Sequence, residues 1–290
     1  MKAFLLRGGV RVGLSLLLVS IVSTQFGSVC AKRLFAVAGP DAAAALRLIC
    51  ATLVLFAALR PWRDVPRLGG WKSVVIYGVC IGLMNSFFYQ AISRIPLGIA
   101  VAIEFAGPLT VAVAASRCRQ DLFSVFLAVS GLLLILPWNS VDASLDAAGI
   151  VFAVLAGVCW GCYIIFGRRA GGQAGTVAVA WGMLAGALIV TPWAAVSSGF
   201  LLFNQTMLKQ ALPMAVLVGT LSSALPYGLE MVALRLVPQQ AFGVMMSLEP
   251  AAAALFGFAL LSEALSLRQW TAIGLVVAAS ILVTRNPGRS

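Results

Sequence analysis

Four ionisable side chains stand inside runs that are otherwise apolar: Arg47 in "DAAAALRLICATLVLF", Glu104 in "AVAIEFAGPLTVAVAA", Glu230 in "LPYGLEMVAL" and Glu249 in "VMMSLEPAAAALFGF". On insertion scales each costs about 2.5–3.5 kcal/mol at the centre of a membrane helix, so such groups normally face a cavity or one another and mark a substrate or ion path. A carboxylate can hold an ammonium group, while Arg47 or a helix N-terminus can hold a carboxylate. The set would therefore suit a small zwitterion. It would equally suit proton coupling, because a carboxyl in apolar surroundings can load and release a proton. The chain has no His, so carboxylates are its only groups suited to proton relay near neutral pH. The competing reading is one structural Arg–Glu pair plus carboxylic acids that stay neutral.

The neighbours of these charges add polar and small residues at helical spacing. Gly107 and Pro108 keep the face of Glu104 small, and Ser223, Pro226 and Tyr227 form a polar stripe leading to Glu230. Asn85 and Tyr89 lie one turn apart on another segment. Trp160 and Tyr163 would wall a pocket, or else act as packing and interfacial anchors. Arg47, among small residues, is either the anion partner or a side chain that snorkels toward the headgroups.

The elements that carry these residues are set by composition. Of 290 residues 61% are apolar and 10% charged, and mean hydropathy is +1.03. Soluble domains carry about 25% charged residues. Apolar stretches of about 20 residues, long enough to cross a hydrocarbon core, recur from end to end without strand-type alternation. The expected fold is an all-α integral membrane protein with ten spans near 12–31, 42–59, 73–92, 96–116, 122–137, 147–167, 175–196, 213–234, 239–260 and 267–284. The first is expected to be an uncleaved helix rather than a signal peptide.

The net charge of +11 is a topology signal rather than a nucleic-acid patch. With ten spans both termini share one side, which receives fourteen of the Lys and Arg residues against five opposite. The positive-inside bias puts that side in the cytoplasm. The six Cys are scattered, and "CWGC" at 159–162 copies a redox spacing inside an apolar helix, where packing is the better explanation. No metal or cofactor is expected. Neither is enzymatic activity, since the loops hold only Asp142 and Asp146 as an acidic pair.

The chain also repeats. Residues 85–109 set against 227–251 align Ala91 with Ala233, Pro96 with Pro238 and Pro108 with Pro250. Five spans per half is odd, so the second half enters the membrane inverted, the usual construction of secondary transporters with a midplane site. Repeats are expected over 1–143 and 144–290. Pro108 and Pro250 are expected to interrupt equivalent helices, each freeing a carbonyl four residues back, at Glu104 and Met246.

Ten spans, this five-plus-five repeat and the "WG" at 160–161 opening the second half resemble the EamA-type branch of the drug/metabolite transporter superfamily. More narrowly, "PLGIAVAIEFAGPLTVAVAASR", "LPYGLEMVAL" and "FGVMMSLEPAAAALFGFALLSEALS" are similar to the bacterial inner-membrane threonine/homoserine exporters. The resemblance implies efflux of small amino acids or related metabolites across the inner membrane, driven by protons, from a cavity between the repeats. Glu104, Glu230 and Glu249 fall on the acidic positions of the matching stretches. Where the family often has "GE", the second half has Ser262–Glu263 and the first "SRCRQD". The alternatives are drug or toxic-metabolite efflux on the same frame, a non-transport membrane protein, or a membrane-embedded enzyme. The expected partners are a small-molecule substrate, the lipid bilayer and protons as coupling ion, with a homodimer left open and nucleic acid excluded.

Overall fold

The computed structural model describes residues 2–66, 70–95, 97–115, 119–135, 146–199, 204–261 and 267–285. Nearly all of these are helical. The first element, α1 (Lys2–Leu59), is two helices meeting at Gly39, whose φ of 74° only glycine adopts readily, followed by Pro40. Two stretches of it, Gly9–Ala31 and Leu34–Leu59, the second containing the kink, are each long and apolar enough to cross a membrane. The same holds for α2 (Trp71–Ile92), α6 (Ala147–Ala174) and α7 (Val177–Ser197).

Of the remaining expected spans, the eighth (Gln205–Leu236) and ninth (Ala241–Leu260) are also long and apolar enough but interrupted, which makes seven such segments among the described residues. The other expected spans are shorter helices. Span four appears as α3 (Leu97–Glu104) and α4 (Ala106–Ala115), and span five as α5 (Arg119–Ile135). Span eight is α8 (Gln205–Gly219), a π turn over Thr220–Ala224, and α9 (Leu225–Leu236). Span nine is α10 (Gln239–Met246) and α11 (Leu248–Leu261), and span ten is α12 (Leu267–Arg285). The expected repeat boundary at 143/144, Asp142, Ser262–Glu263 and residues 116–118 lie outside the described residues.

Burial is distributed as in a lipid-facing protein. Leu53, Phe126, Leu188, Trp193 and Val196 are exposed, whereas Ser20, Arg47, Asn85, Glu104, Ser223 and Glu230 are buried. Water would drive the reverse arrangement; a bilayer leaves apolar side chains on the outside at no cost. With no hydrophobic drive between helices in lipid, close backbone approach has to hold them together. The α2–α7 seam does this with glycine on both sides: a Cβ at Gly82 would lie 2.9 Å from the Gly186 carbonyl oxygen, and one at Gly78 would run into that of Gly182.

The packing interleaves the two parts of the chain rather than setting them side by side. The α2 helix lies on α6 and α7, α1 on α7, α8 and α9, and α12 on α5. Each early helix thus finds its main partner in the later half, which leaves a cavity where the interrupted helices meet α1, α2 and α6.

Candidate functional site

That cavity has a volume of about 670 Å³, its open mouth included. Arg47, Asn85, Glu104, Trp160, Tyr227, Glu230 and Glu249 all line it. Residues 200 positions apart in sequence therefore converge on one polar chamber inside an apolar bundle. Tyr89 and Tyr163 stand behind the wall and hold lining residues in place.

Three local devices build the chamber. The first is the pair of helix interruptions. The α3 helix ends at Glu104 and α4 resumes at Ala106; α10 ends at Met246 and α11 resumes at Leu248. Pro108 and Pro250 lack the N–H that would bond to the carbonyls of Glu104 and Met246, so the ladder loosens one turn before each proline. Glu104 is thereby the last residue of one arm, and Glu249 lies in the first turn of another. Both are buried, at 7% and 8% exposure. Among the described residues neither carboxylate has a hydrogen-bond partner in the protein.

The second device is close packing behind the first interruption. A Cβ at Gly157 would lie 2.6 Å from the Glu104 carbonyl oxygen, and one at Gly107 would collide with the Gly157 carbonyl. Only glycine on both helices lets α6 support the break. Trp160, one turn further along α6, packs edge-on against Phe105 with ring centroids 5.5 Å apart.

The third device is the π turn. There the Leu225 N–H bonds to the Thr220 carbonyl, one residue further back than in an α-helix. Pro226 has no N–H to offer, so the carbonyls of Leu221 and Ser222 have no partner in their own helix. Side chains from α1 take both. Ser23 Oγ donates to the Leu221 carbonyl at 2.6 Å, and Arg47 Nη2 donates to the Ser222 carbonyl at 2.5 Å. Arg47 also donates from Nε to Ser223 Oγ at 2.5 Å and from Nη1 to the Tyr89 hydroxyl at 3.1 Å. Gly219 permits the contact, since a Cβ there would sit 2.8 Å from the Arg47 carbonyl oxygen.

Glu230 differs from the other two acids. Its Oε1 accepts from Ser20 Oγ at 2.7 Å and its Oε2 from the Tyr163 hydroxyl at 2.5 Å, so both oxygens are already engaged. Asn85 donates to the Tyr227 hydroxyl at 3.0 Å, and these two residues are 142 positions apart, the offset of the sequence repeat. A residue touching its own repeat mate is what a pseudo-two-fold axis produces where it passes through a structure.

Thr24, Gln25 and Ser28 also line the cavity, and sequence reasoning passed over them. The signal was present: "SIVSTQFGS" at 20–28 puts five Ser, Thr and Gln residues on an otherwise apolar span. The orphan carbonyls left by Pro226 were missed too, although the same argument applied to Pro108 and Pro250. Cys159 and Cys162 of the "CWGC" stretch are free thiols on α6. Asp146 caps α6 by accepting from the Ala148 N–H at 2.9 Å, and it pairs with Arg94 at 3.7 Å. No cluster of three or more metal-ligating residues occurs among the described residues.

An all-helical membrane bundle with a polar chamber between interleaved halves is the architecture of a small-solute carrier, and the family comparison agrees. The model of the EamA-like transporter family matches residues 11–136 and again 147–285, so this chain belongs to that family. It is 43% identical over 266 residues to the threonine/homoserine exporter RhtA of Escherichia coli (strain K12), spanning 92% of this chain and 89% of that protein. It is 42% identical over 265 residues to the RhtA of Salmonella typhimurium (strain LT2), spanning 91% and 88%. An uncharacterized transporter, YwfM of Bacillus subtilis (strain 168), is 25% identical over 86% of each chain. A solved crystal structure matches with a TM-score of 0.75 at 16% identity over 95% of this chain and 97% of that one, a likeness of fold alone.

Proposed function

We propose that this protein exports threonine, homoserine or closely similar small amino acids across the bacterial inner membrane in exchange for protons. Both termini lie in the cytoplasm, and two inverted repeats, 1–143 and 144–290, frame the path. The observation that carries the reading is the presence, in the lining of one buried chamber, of two unengaged carboxylates and an arginine that does not contact them. That is a complementary lining for a small molecule bearing both an ammonium and a carboxylate. The 43% identity to the RhtA exporter supports the choice of substrate.

Exchange for protons needs a group for which proton and substrate compete, so that one must leave before the other binds. Glu104 fits that role. Its carboxylate is unengaged, and it stands at the end of α3 whose carbonyls, like the carboxylate, suit a cation. Glu249 is the second such group. Glu230, with both oxygens occupied, organises the wall by holding Ser20 and Tyr163.

Purified protein in liposomes tests this directly. An imposed proton gradient should drive accumulation of labelled threonine or homoserine, and a protonophore should abolish it. Flux indifferent to the gradient would remove the coupling. Transport of cationic drugs with no movement of threonine would replace the amino-acid reading with drug efflux.

A further inference from the structure

Arg47 is held in an unusual manner for a buried cation. Among the described residues no carboxylate lies within salt-bridge distance of it. Its three bonds go to neutral acceptors: a backbone carbonyl, a serine hydroxyl and a tyrosine hydroxyl. A guanidinium carries five N–H groups in a planar fork. Three are spent in fixing its position, two remain, and the side chain lines the cavity.

The protein has therefore oriented a positive charge with no carboxylate in contact, although Glu104, Glu230 and Glu249 lie within electrostatic reach of it. A buried cation of this kind is costly unless something completes it. The structure that fixes it is specific: the π turn and Pro226 together create the carbonyl it binds. Glu104, Glu249 and Glu230 share the chamber yet do not pair with it, which leaves its place open for an anion that arrives with the substrate.

We propose that Arg47 is the clamp for the substrate α-carboxylate, and that Ser223 and the Ser222 carbonyl are its positioning partners. This rests on the amino-acid reading above and deepens it. A free α-carboxylate becomes obligatory for recognition, while the side chain is free to vary within the space of the chamber. Amides and esters of the same amino acids keep the ammonium and the side chain but lose the anion, so they are rejected. Lysine at position 47 would keep the charge but not the planar fork that bridges π turn and ligand.

The test is ligand-induced thermal stabilisation of the purified full-length protein, run beside transport in liposomes. The probes are threonine, homoserine, threoninamide and threonine methyl ester. Threonine should stabilise the wild type at a concentration lower by about tenfold or more than its amide or ester, a ratio worth about 1.4 kcal/mol. In Ser223→Ala, KM for threonine should rise with kcat nearly unchanged, and the threonine-to-amide ratio should shrink. In Arg47→Gln the ratio should fall to near one.

Equal stabilisation by threonine and threoninamide in the wild type overturns the clamp, as does a failure of every carboxylate-bearing probe to bind. Full discrimination in Arg47→Gln overturns it as well. If that variant does not fold, the wild-type and Ser223→Ala ratios decide alone. Carboxylate-dependent binding without any threonine transport would leave the clamp standing and sink the exporter reading instead, so the two failures are distinct.

Discussion

The interrupted helices α3–α4 and α10–α11 occupy the same station in the two halves of the chain, yet they are not equipped alike. Their breaks, at Phe105 and Ser247, are separated by the offset that also separates Asn85 from Tyr227. In the first, the acid ends the leading arm and glycine follows: Glu104, then Gly107. In the second, the leading arm ends in Met246 and the acid opens the trailing arm as Glu249. Gly107, which matches Glu249, is pressed onto Gly157, whereas Glu249 itself borders the cavity. The backbone frame is duplicated and the chemistry is split across it. One break sets its carboxylate at a helix end, beside carbonyls that would suit a cation, and the other places its carboxylate at a helix start, where the dipole offsets negative charge.

The largest effect should come from moving the acid to its mate. Glu104→Gln is expected to reduce threonine efflux by about a hundredfold or more, with membrane abundance unchanged on a blot, because a neutral amide cannot exchange an ammonium for a proton. The double variant Glu104→Met, Met246→Glu keeps the chamber's composition and reverses the asymmetry. It should stay inactive. Recovery of efflux in the double variant would mean that the two breaks are interchangeable.

Next comes the packing that only the first break needs. Gly157→Ala puts a methyl group 2.6 Å from the Glu104 carbonyl oxygen, a separation that must open by more than half an ångström. Overpacking of that kind costs about 1–3 kcal/mol. The expected outcome is a lowered melting temperature in detergent together with impaired transport. Gly228→Ala, where a Cβ would meet nothing within 4 Å, is the control and should change neither. If Gly157→Ala melts like the wild type, the tight support of α3–α4 is not what holds Glu104.

The third comparison is between engaged and unengaged acids. Glu230→Gln leaves the amide one acceptor for two hydroxyl donors and sets its NH₂ against the other, at a cost of about 1–3 kcal/mol. It should lower thermal stability more than Glu104→Gln, whose parent carboxylate has no partner to lose. Tyr163→Phe should reproduce most of the Glu230→Gln loss, and the double variant little more, since both break one contact. Equal melting temperatures for Glu104→Gln and Glu230→Gln would erase the distinction.

Much of this was legible in the sequence, and the parts that were not share a cause. Four charges in apolar runs and two prolines at a repeating offset mark the cavity and both interruptions, because burial of charge and loss of an N–H are properties of single residues. Tyr227 follows from helical spacing to Glu230, and Asn85 and Trp160 from polar and aromatic residues on other apolar segments. What escaped depends on two segments meeting. The engagement of Glu230 requires Ser20 and Tyr163, which come from different helices. The hold on Arg47 requires a π slip as well as Pro226, and nothing in "TLSSALP" alone announces the slip. The Gly78–Gly182 and Gly82–Gly186 seam is likewise invisible until α2 is laid on α7.

The smallest expected effect bears on the symmetry itself. Asn85 and Tyr227, a residue and its mate, join the halves by a 3.0 Å bond in the cavity wall. Side-chain hydrogen bonds between membrane helices are worth about 0.6 kcal/mol on average, so an Asn85→Ala, Tyr227→Phe double-mutant cycle should show a coupling of that order in thermal stability. The cycle is more informative in transport. When two inverted repeats exchange conformations, groups on the axis between them exchange roles and stay in contact, while groups away from it separate. Coupling between these two residues should therefore be similar in stability and in efflux rate. For the off-axis pair Arg47 and Tyr89, whose contact lies within the first half, the two should differ. A large coupling confined to efflux for Asn85 and Tyr227 would show that the bond breaks during the cycle, and that the axis runs elsewhere.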